Sequence, residues 1–149
     1  MEQPLGYEVF EASDGELGIR PVYKEVVVRP WGTYETIYIG SQFLAKTIIV
    51  NPGHRLSDQR HRWRDEHWFI VEGEAVLTTN GQTVKLYSGE SADIKRGVWH
   101  RVANHQQTPL IFIEVQTGKC FEEDIERRED DYGRVADRGP HSGFYRMYG

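Results

Sequence analysis

One cysteine stands in a chain of 149 residues. Cys120 therefore has no partner within the chain for a disulfide, and there is no thiolate pair to hold a structural zinc ion, so a reducing cytoplasm is the expected setting. Long hydrophobic runs are missing too. The apolar stretches fall short of the roughly 20 residues that span a bilayer, so no membrane association is expected. The acidic stretch "MEQPLGYEVFEASDGELG" lacks the cationic and apolar regions of an export signal. Nor is there an excess of positive charge. A net charge of −5 speaks against a nucleic-acid footprint, so any anionic ligand is expected to be small and locally recognised. Internal repeats and low-complexity tracts are absent, and the length suits one domain with a sizeable core.

What the chain does have is aromatic residues at 12 % and fifteen glycines, set among short β-branched runs. That pattern reads as all-β. Predicted strands are "YKEVVVR", "GTYETIYIG", "FLAKTIIV", "HWFIVEGEAVLTT", "QTVKLYSG", "SADIKRG", "HRVANH" and "LIFIEVQTG". Asn80-Gly81 predicts a type I′ hairpin between "AVLTT" and "QTVKL". Eight or so evenly spaced strands suit a sandwich or jelly roll, and periodicity alone leaves an OB or lipocalin barrel open. The charged, then glycine-rich C-terminus predicts a short helical turn over 122–128 followed by an irregular tail to 149.

The densest chemistry lies in "SDQRHRWRDEHW", residues 57–68. Gln59 and His61 share strand parity, and Glu66 opens the next apolar run. His100, reached through Gly97 after a turn, is placed to bring a fourth donor from a second strand pair. Two nitrogens and two oxygens, with a position left for water or substrate, compose a catalytic rather than a structural metal site. The competing reading is a barrel that keeps these polar residues without a metal.

The spacing from Gly53 to Gln59, His61, Glu66 and Gly73 resembles the first motif of the cupins, with glutamine in place of the usual first histidine. Gly89, Gly97, His100 and Asn104 resemble the second, with Lys95 where proline is usual. The blocks "RPWGTYE", "QRHRWRDEHWFIVEGEAVLT", "GVWHRVAN", "IEVQTG" and "EEDIERREDDYGR" are similar to the C-terminal domain of type II mannose-6-phosphate isomerases, often fused to a GDP-mannose pyrophosphorylase. The resemblance covers roughly residues 26–134. It implies an all-β cupin jelly roll (residues 26–121) preceded by an arm (1–25) that is paired or exchanged in a homodimer. It implies one divalent ion held by Gln59, His61, Glu66 and His100, zinc first, with manganese, iron or nickel as alternatives. The implied activity is interconversion of mannose 6-phosphate and fructose 6-phosphate. The nucleotidyltransferase half and its glycine-rich loop are missing from these 149 residues, so guanylyltransferase activity is not carried over. Arg62 and Trp63 stand where the family commonly has further histidines, and Asp58 where it has an apolar residue; both departures bear on the substrate.

An aldose–ketose isomerase needs a base within reach of the proton that moves between C1 and C2. Lys46 and Glu114 are the candidates, with His67 a weaker third. Lys46 shares parity with Ile48 and Val50, which fits either an interior amine of lowered pKa or a lysine snorkelling at the barrel mouth. Glu114 shares parity with Phe112 and Gln116, and an arginine-paired edge carboxylate is its alternative. Arg101 and Arg64 are the candidate cations for the sugar phosphate, Arg101 also as a catalytic group, although alternation turns Arg101 away from the His100 side. Arg55, Arg60 and Arg62 are expected on the surface, and Trp31, Trp63, Trp68 and Trp99 in the core or rim. Three functions remain open: the isomerase, a non-catalytic cupin binding a sugar or nucleotide sugar as partner of a separate nucleotidyltransferase, and another cupin enzyme such as an epimerase or iron oxygenase.

Overall fold

The computed structural model describes residues 2–134. All thirteen elements among them are strands, and no helix among the described residues is long and apolar enough to cross a membrane. β1 (Gly6–Glu11) and β2 (Leu17–Val22) form a separate hairpin. β3 (Val26–Arg29), β4 (Gly32–Ile39), β5 (Phe43–Val50), β7 (Arg64–Glu72), β10 (Ser91–Ile94) and β12 (Leu110–Gly118) make one sheet, ordered β10-β7-β12-β5-β4-β3. β6 (Asp58–Arg60), β8 (Glu74–Thr79), β9 (Gln82–Tyr87), β11 (His100–Ala103) and β13 (Glu126–Glu129) make the other, ordered β13-β6-β11-β8-β9. Their inner faces enclose the core, as in the jelly roll expected from the sequence.

Alternation along three adjacent strands sets where the interior is dry and where it is polar. Val50 lies opposite Leu110, and Ile48 opposite Phe112, which in turn faces Ile70. Trp68 packs on Phe112 with ring centroids 4.6 Å apart, a burial worth about 4–6 kcal/mol by area. Further along the same strands the inward positions turn polar: Lys46 opposite Glu114, then Gln116 opposite Glu66, then Arg64 opposite Gly118. The barrel thus has an apolar end and a polar mouth, and the strand register alone carries the change.

The Asn80-Gly81 hairpin joins β8 and β9, with φ of 46° and 81° at its two central residues. Three expectations are corrected. "HWFIVEGEAVLTT" is two strands, since the chain turns at Gly73 and β7 and β8 enter different sheets. The helical turn predicted over 122–128 is a turn followed by β13, which pairs with β6 and buries Arg127 completely; tertiary pairing outweighs the local preference of a charged run. The N-terminal arm, expected to lack a local packing partner, folds back as β1–β2 onto its own barrel, with Gly6 against the Ile39 side chain and Arg20 bonded to Glu123. The tail beyond Arg134, with His141, lies outside the described residues.

Candidate metal centre

His61, one residue past β6, Glu66 on β7 and His100 on β11 meet inside the polar mouth. Their donor atoms all lie within 4.8 Å of one another. His61 Nε2 is 3.0 Å from Glu66 Oε2, and His100 Nε2 is 3.9 Å from Glu66 Oε1. The three residues are 2–3 % exposed.

Each imidazole is fixed through its other nitrogen. His61 Nδ1 donates to the Asp124 carbonyl at 2.7 Å, and His100 Nδ1 donates to the Val98 carbonyl at 3.0 Å. This leaves both Nε2 atoms as lone-pair donors facing Glu66, the tautomer a metal ligand requires. Burial pulls the His100 pKa down to about 4, outweighing the upward push of Glu66, so the ring is neutral at physiological pH. Burial works to raise the Glu66 pKa, but His61, Arg64 and His100 together hold it well below the usual carboxylate range. Two imidazoles, each with Nε2 turned towards a carboxylate in one buried cluster, fit a divalent cation. Gln59, whose backbone pairs with His100, lines the same cavity. Its amide nitrogen lies 3.3 Å from Ser57 Oγ, which leaves the amide oxygen without a bond to that hydroxyl and available as a donor.

Both candidate bases are interior, one of the two readings that parity left open for each. Lys46 and Glu114, 3 % and 6 % exposed, face each other across β5 and β12 beside Trp68. Burial lowers the Lys46 pKa to about 8 against the pull of Glu114. Burial, then the neighbouring Glu66 charge, raises that of Glu114 to about 8. Gln116 donates to Glu114 at 2.6 Å, and Lys46 is ion-paired to Glu122. The weaker candidate, His67, points outward and binds Asp93.

The two arginines assigned to phosphate are elsewhere engaged. Arg64 begins β7 and is buried, with Nε 2.9 Å from Glu66 Oε2 and Nη1 donating to the Phe121 carbonyl. It positions the Glu66 carboxylate rather than presenting a free fork. Arg101 follows strand alternation to the outer side of β11, where it donates to the Leu56 carbonyl and to Glu129; it does not line the cavity.

Sequence reasoning missed the 121–125 segment, which straps the mouth shut. Phe121 holds Arg64, Glu122 holds Lys46, Glu123 holds Arg20, and the Asp124 carboxylate accepts the amides of Arg62 and Trp63. The acid run "EEDIE" was the only signal, and it reads equally as a solvated face. Beneath the strap the cavity has a volume of about 30 Å³, enough for a water or an ion.

Comparisons with known proteins bear on the fold and the family. An RmlC-like cupin from Shewanella frigidimarina superposes with a TM-score of 0.58 at 21 % identity, over 64 % of this chain and 84 % of that one. The capsular polysaccharide assembling protein CapF from Staphylococcus aureus superposes with a TM-score of 0.62 at 18 % identity, over 72 % and 35 %. These likenesses show the cupin fold. The alginate biosynthesis protein AlgA of Pseudomonas aeruginosa is 46 % identical over 112 residues, 74 % of this chain and 23 % of that protein. The mannose-1-phosphate guanylyltransferase ManC of Salmonella typhimurium is 46 % identical over 110 residues, 73 % and 23 %. The chain thus spans about a quarter of the length of these relatives. Residues 20–131, from β2 through the strap and β13, match one family, Mannose-6-phosphate isomerase C-terminal, and with that match over most of its length the chain belongs to this family.

Proposed function

We propose that the chain is a metal-dependent aldose–ketose isomerase interconverting mannose 6-phosphate and fructose 6-phosphate, with Gln59, His61, Glu66 and His100 holding one divalent ion, zinc foremost. The observation that carries this reading is the buried donor cluster of His61, Glu66 and His100, the last two of which line the same small cavity as the Lys46–Glu114 pair. The ion, when bound, supplies polarisation of the sugar carbonyl and offsets charge developing on its oxygens. Lys46 takes the proton from carbon after releasing its own, burial having lowered its pKa to about 8. Glu114, kept protonated by burial and by the Glu66 charge, donates to the sugar oxygen. Arg64 holds Glu66 in place, and Trp68 donates its indole N–H to the same carboxylate at 2.9 Å. A hexose phosphate is far larger than a cavity of about 30 Å³, since pockets for small molecules run to about 300–1,000 Å³. The 121–125 strap therefore yields to admit it.

The second reading, a binding module that serves a separate nucleotidyltransferase, is favoured by the likeness to a mannose-1-phosphate guanylyltransferase of which the chain spans 23 %. A single experiment separates the two. Zinc-loaded protein is assayed for turnover between mannose 6-phosphate and fructose 6-phosphate and for exchange of the C2 proton with solvent, with glucose 6-phosphate and a nucleotide sugar as comparators. The isomerase reading expects both signals, removed by chelation and restored by metal. Lys46→Met and Glu114→Gln should each lower kcat by about 10²- to 10⁴-fold with metal content retained. Saturable binding of the sugar phosphate by fully metallated protein, with neither turnover nor exchange, sinks the isomerase and leaves the binding module.

A further inference from the structure

The isomerase reading leaves the substrate phosphate without a cation, because Arg64 is spent on Glu66 and Arg101 faces away. A second cavity, of about 640 Å³, opens at the same end of the barrel, and its walls include Glu8, Phe43, Trp63, Arg96, Lys119 and Cys120. That volume lies within the range of small-molecule sites. Its position follows from the strand register. Gln116 pairs with Glu66 and Gly118 with Arg64, and the Lys119 amide donates to the Trp63 carbonyl at 3.0 Å. Lys119 thus lies three residues beyond the level of Glu66 and Gln116, or about 10 Å of strand rise. That span is of the order of a phosphorylated hexose. Cys120, where the strap begins, forms a wall of the groove.

The charge in the groove is positive. The Lys119 ammonium sits 4.6 Å over the Trp63 ring, and no ion pair to it is recorded among the described residues. The Arg96 guanidinium lies so close to Gly118 that Nη2 would be 3.1 Å from a Cβ placed there, and that same Nη2 and Nε hold the two Asp65 carboxylate oxygens at 3.2 and 3.3 Å. Glu8, the carboxylate of the lining, is already bonded to Arg20 at 2.6 Å. The Lys119 ammonium over an apolar floor, with the Asp65-paired Arg96 guanidinium on the same wall, matches a phosphate monoester attached to a sugar.

We propose that this groove is the phosphate end of the substrate site, with Lys119 as the anchoring cation and Arg96 beside it, and that it selects phosphorylated over free sugars. The assignment rests on the isomerase reading only for what happens at the sugar end. Lys119→Met keeps an aliphatic stem on Trp63 while removing the charge, and Arg96→Gln is a second variant on a separate loop. Calorimetric titration of the zinc-loaded full chain with mannose 6-phosphate, mannose and inorganic phosphate tests it. Each variant should weaken mannose 6-phosphate binding about tenfold or more, with free mannose binding and metal content unchanged. Inorganic phosphate should compete with the sugar phosphate in the unaltered protein and lose that ability in Lys119→Met. Equal affinity of the unaltered protein for mannose and mannose 6-phosphate, absence of any mannose 6-phosphate binding, or wild-type binding in both variants overturns the anchor. Binding that needs Lys119 without turnover leaves the anchor standing and removes the isomerase. Turnover with an unaltered KM in Lys119→Met and Arg96→Gln does the reverse.

Discussion

At the scale of single residues, His100 links the candidate metal site to stability. Its ring stands edge-on to Trp68 and 5.1 Å from that of His61, and burial holds its pKa near 4 against about 6.5 in an unfolded chain. A base whose folded pKa is depressed favours the folded state only while both states are neutral. As the pH falls below about 6.5, the unfolded chain takes up a proton that the folded one refuses, so stability declines until about pH 4 and then levels. Metal-free protein should therefore lose melting temperature through that window, and His100→Gln should remove this component. Melts followed by circular dichroism between pH 4 and 7 decide it; a flat profile in the unaltered protein contradicts the placement of His100. The depressed carboxyl of Asp130 acts at a lower pH. Burial works against its charge, but Arg134 outweighs that and keeps it ionised below the ordinary carboxylate range, so its contribution is lost only as the pH falls through that lower value.

At the scale of elements, the strap and the β1–β2 hairpin form one mechanical unit. Arg20 grips Glu123 with both terminal nitrogens at 2.5 and 2.6 Å and Glu8 with Nε at 2.6 Å, so the hairpin holds down the segment that covers the metal donors. The pair to Glu123 is partly exposed, at 33 % and 13 % for the two side chains, and the net stability it adds is correspondingly modest. Its removal should act on opening more than on folding. Arg20→Ala is expected to speed amide exchange in the 121–125 strap and to accelerate stripping of bound zinc by a chelator, with the global melting temperature changed by a few degrees. Unchanged exchange and stripping rates would mean that the hairpin is not the clasp. Strands bounded by clear turns, such as β4, β5, β9 and β12, were legible from alternation because a local pattern suffices to specify them. β13 and β6 were not, since a three- or four-residue strand of charged residues becomes a strand only through the neighbour it pairs with. The same holds for the strap: Asp124 orients His61 across 63 residues of sequence, and no window along the chain reveals such a contact.

At the scale of the whole molecule, the interior was more legible than the surface. Parity put Lys46 and Glu114 in line with core residues, with an interior place as one of two readings, and motif spacing grouped His61, Glu66 and His100, because both depend on a strand register that the fold keeps. Arg64 and Arg101 were harder to assign, because a long cation goes where its partners are, and those partners come from the strap and β13. The surface leaves one face to be explained. On the hairpin, Tyr7, Val9, Leu17 and Ile19 share one side and are 62 %, 43 %, 61 % and 71 % exposed, an apolar patch of the sort that marks an interface. In the homodimer that the family resemblance implies, this patch is the expected contact, with the arm itself staying on its own barrel. A two-fold contact sets the same strip against itself, so one charge introduced at its centre acts twice. Ile19→Lys should convert a dimer into a folded monomer in light scattering coupled to size exclusion, while the zinc content per chain stays the same because the donor cluster is drawn from a single barrel. If the unaltered protein is monomeric at every concentration tested, the homodimer fails and the patch falls to a separate nucleotidyltransferase partner. If Ile19→Lys loses zinc together with the dimer, the strap that shields the donors depends on the second copy, and the clasp formed by Arg20 is not sufficient to keep it closed.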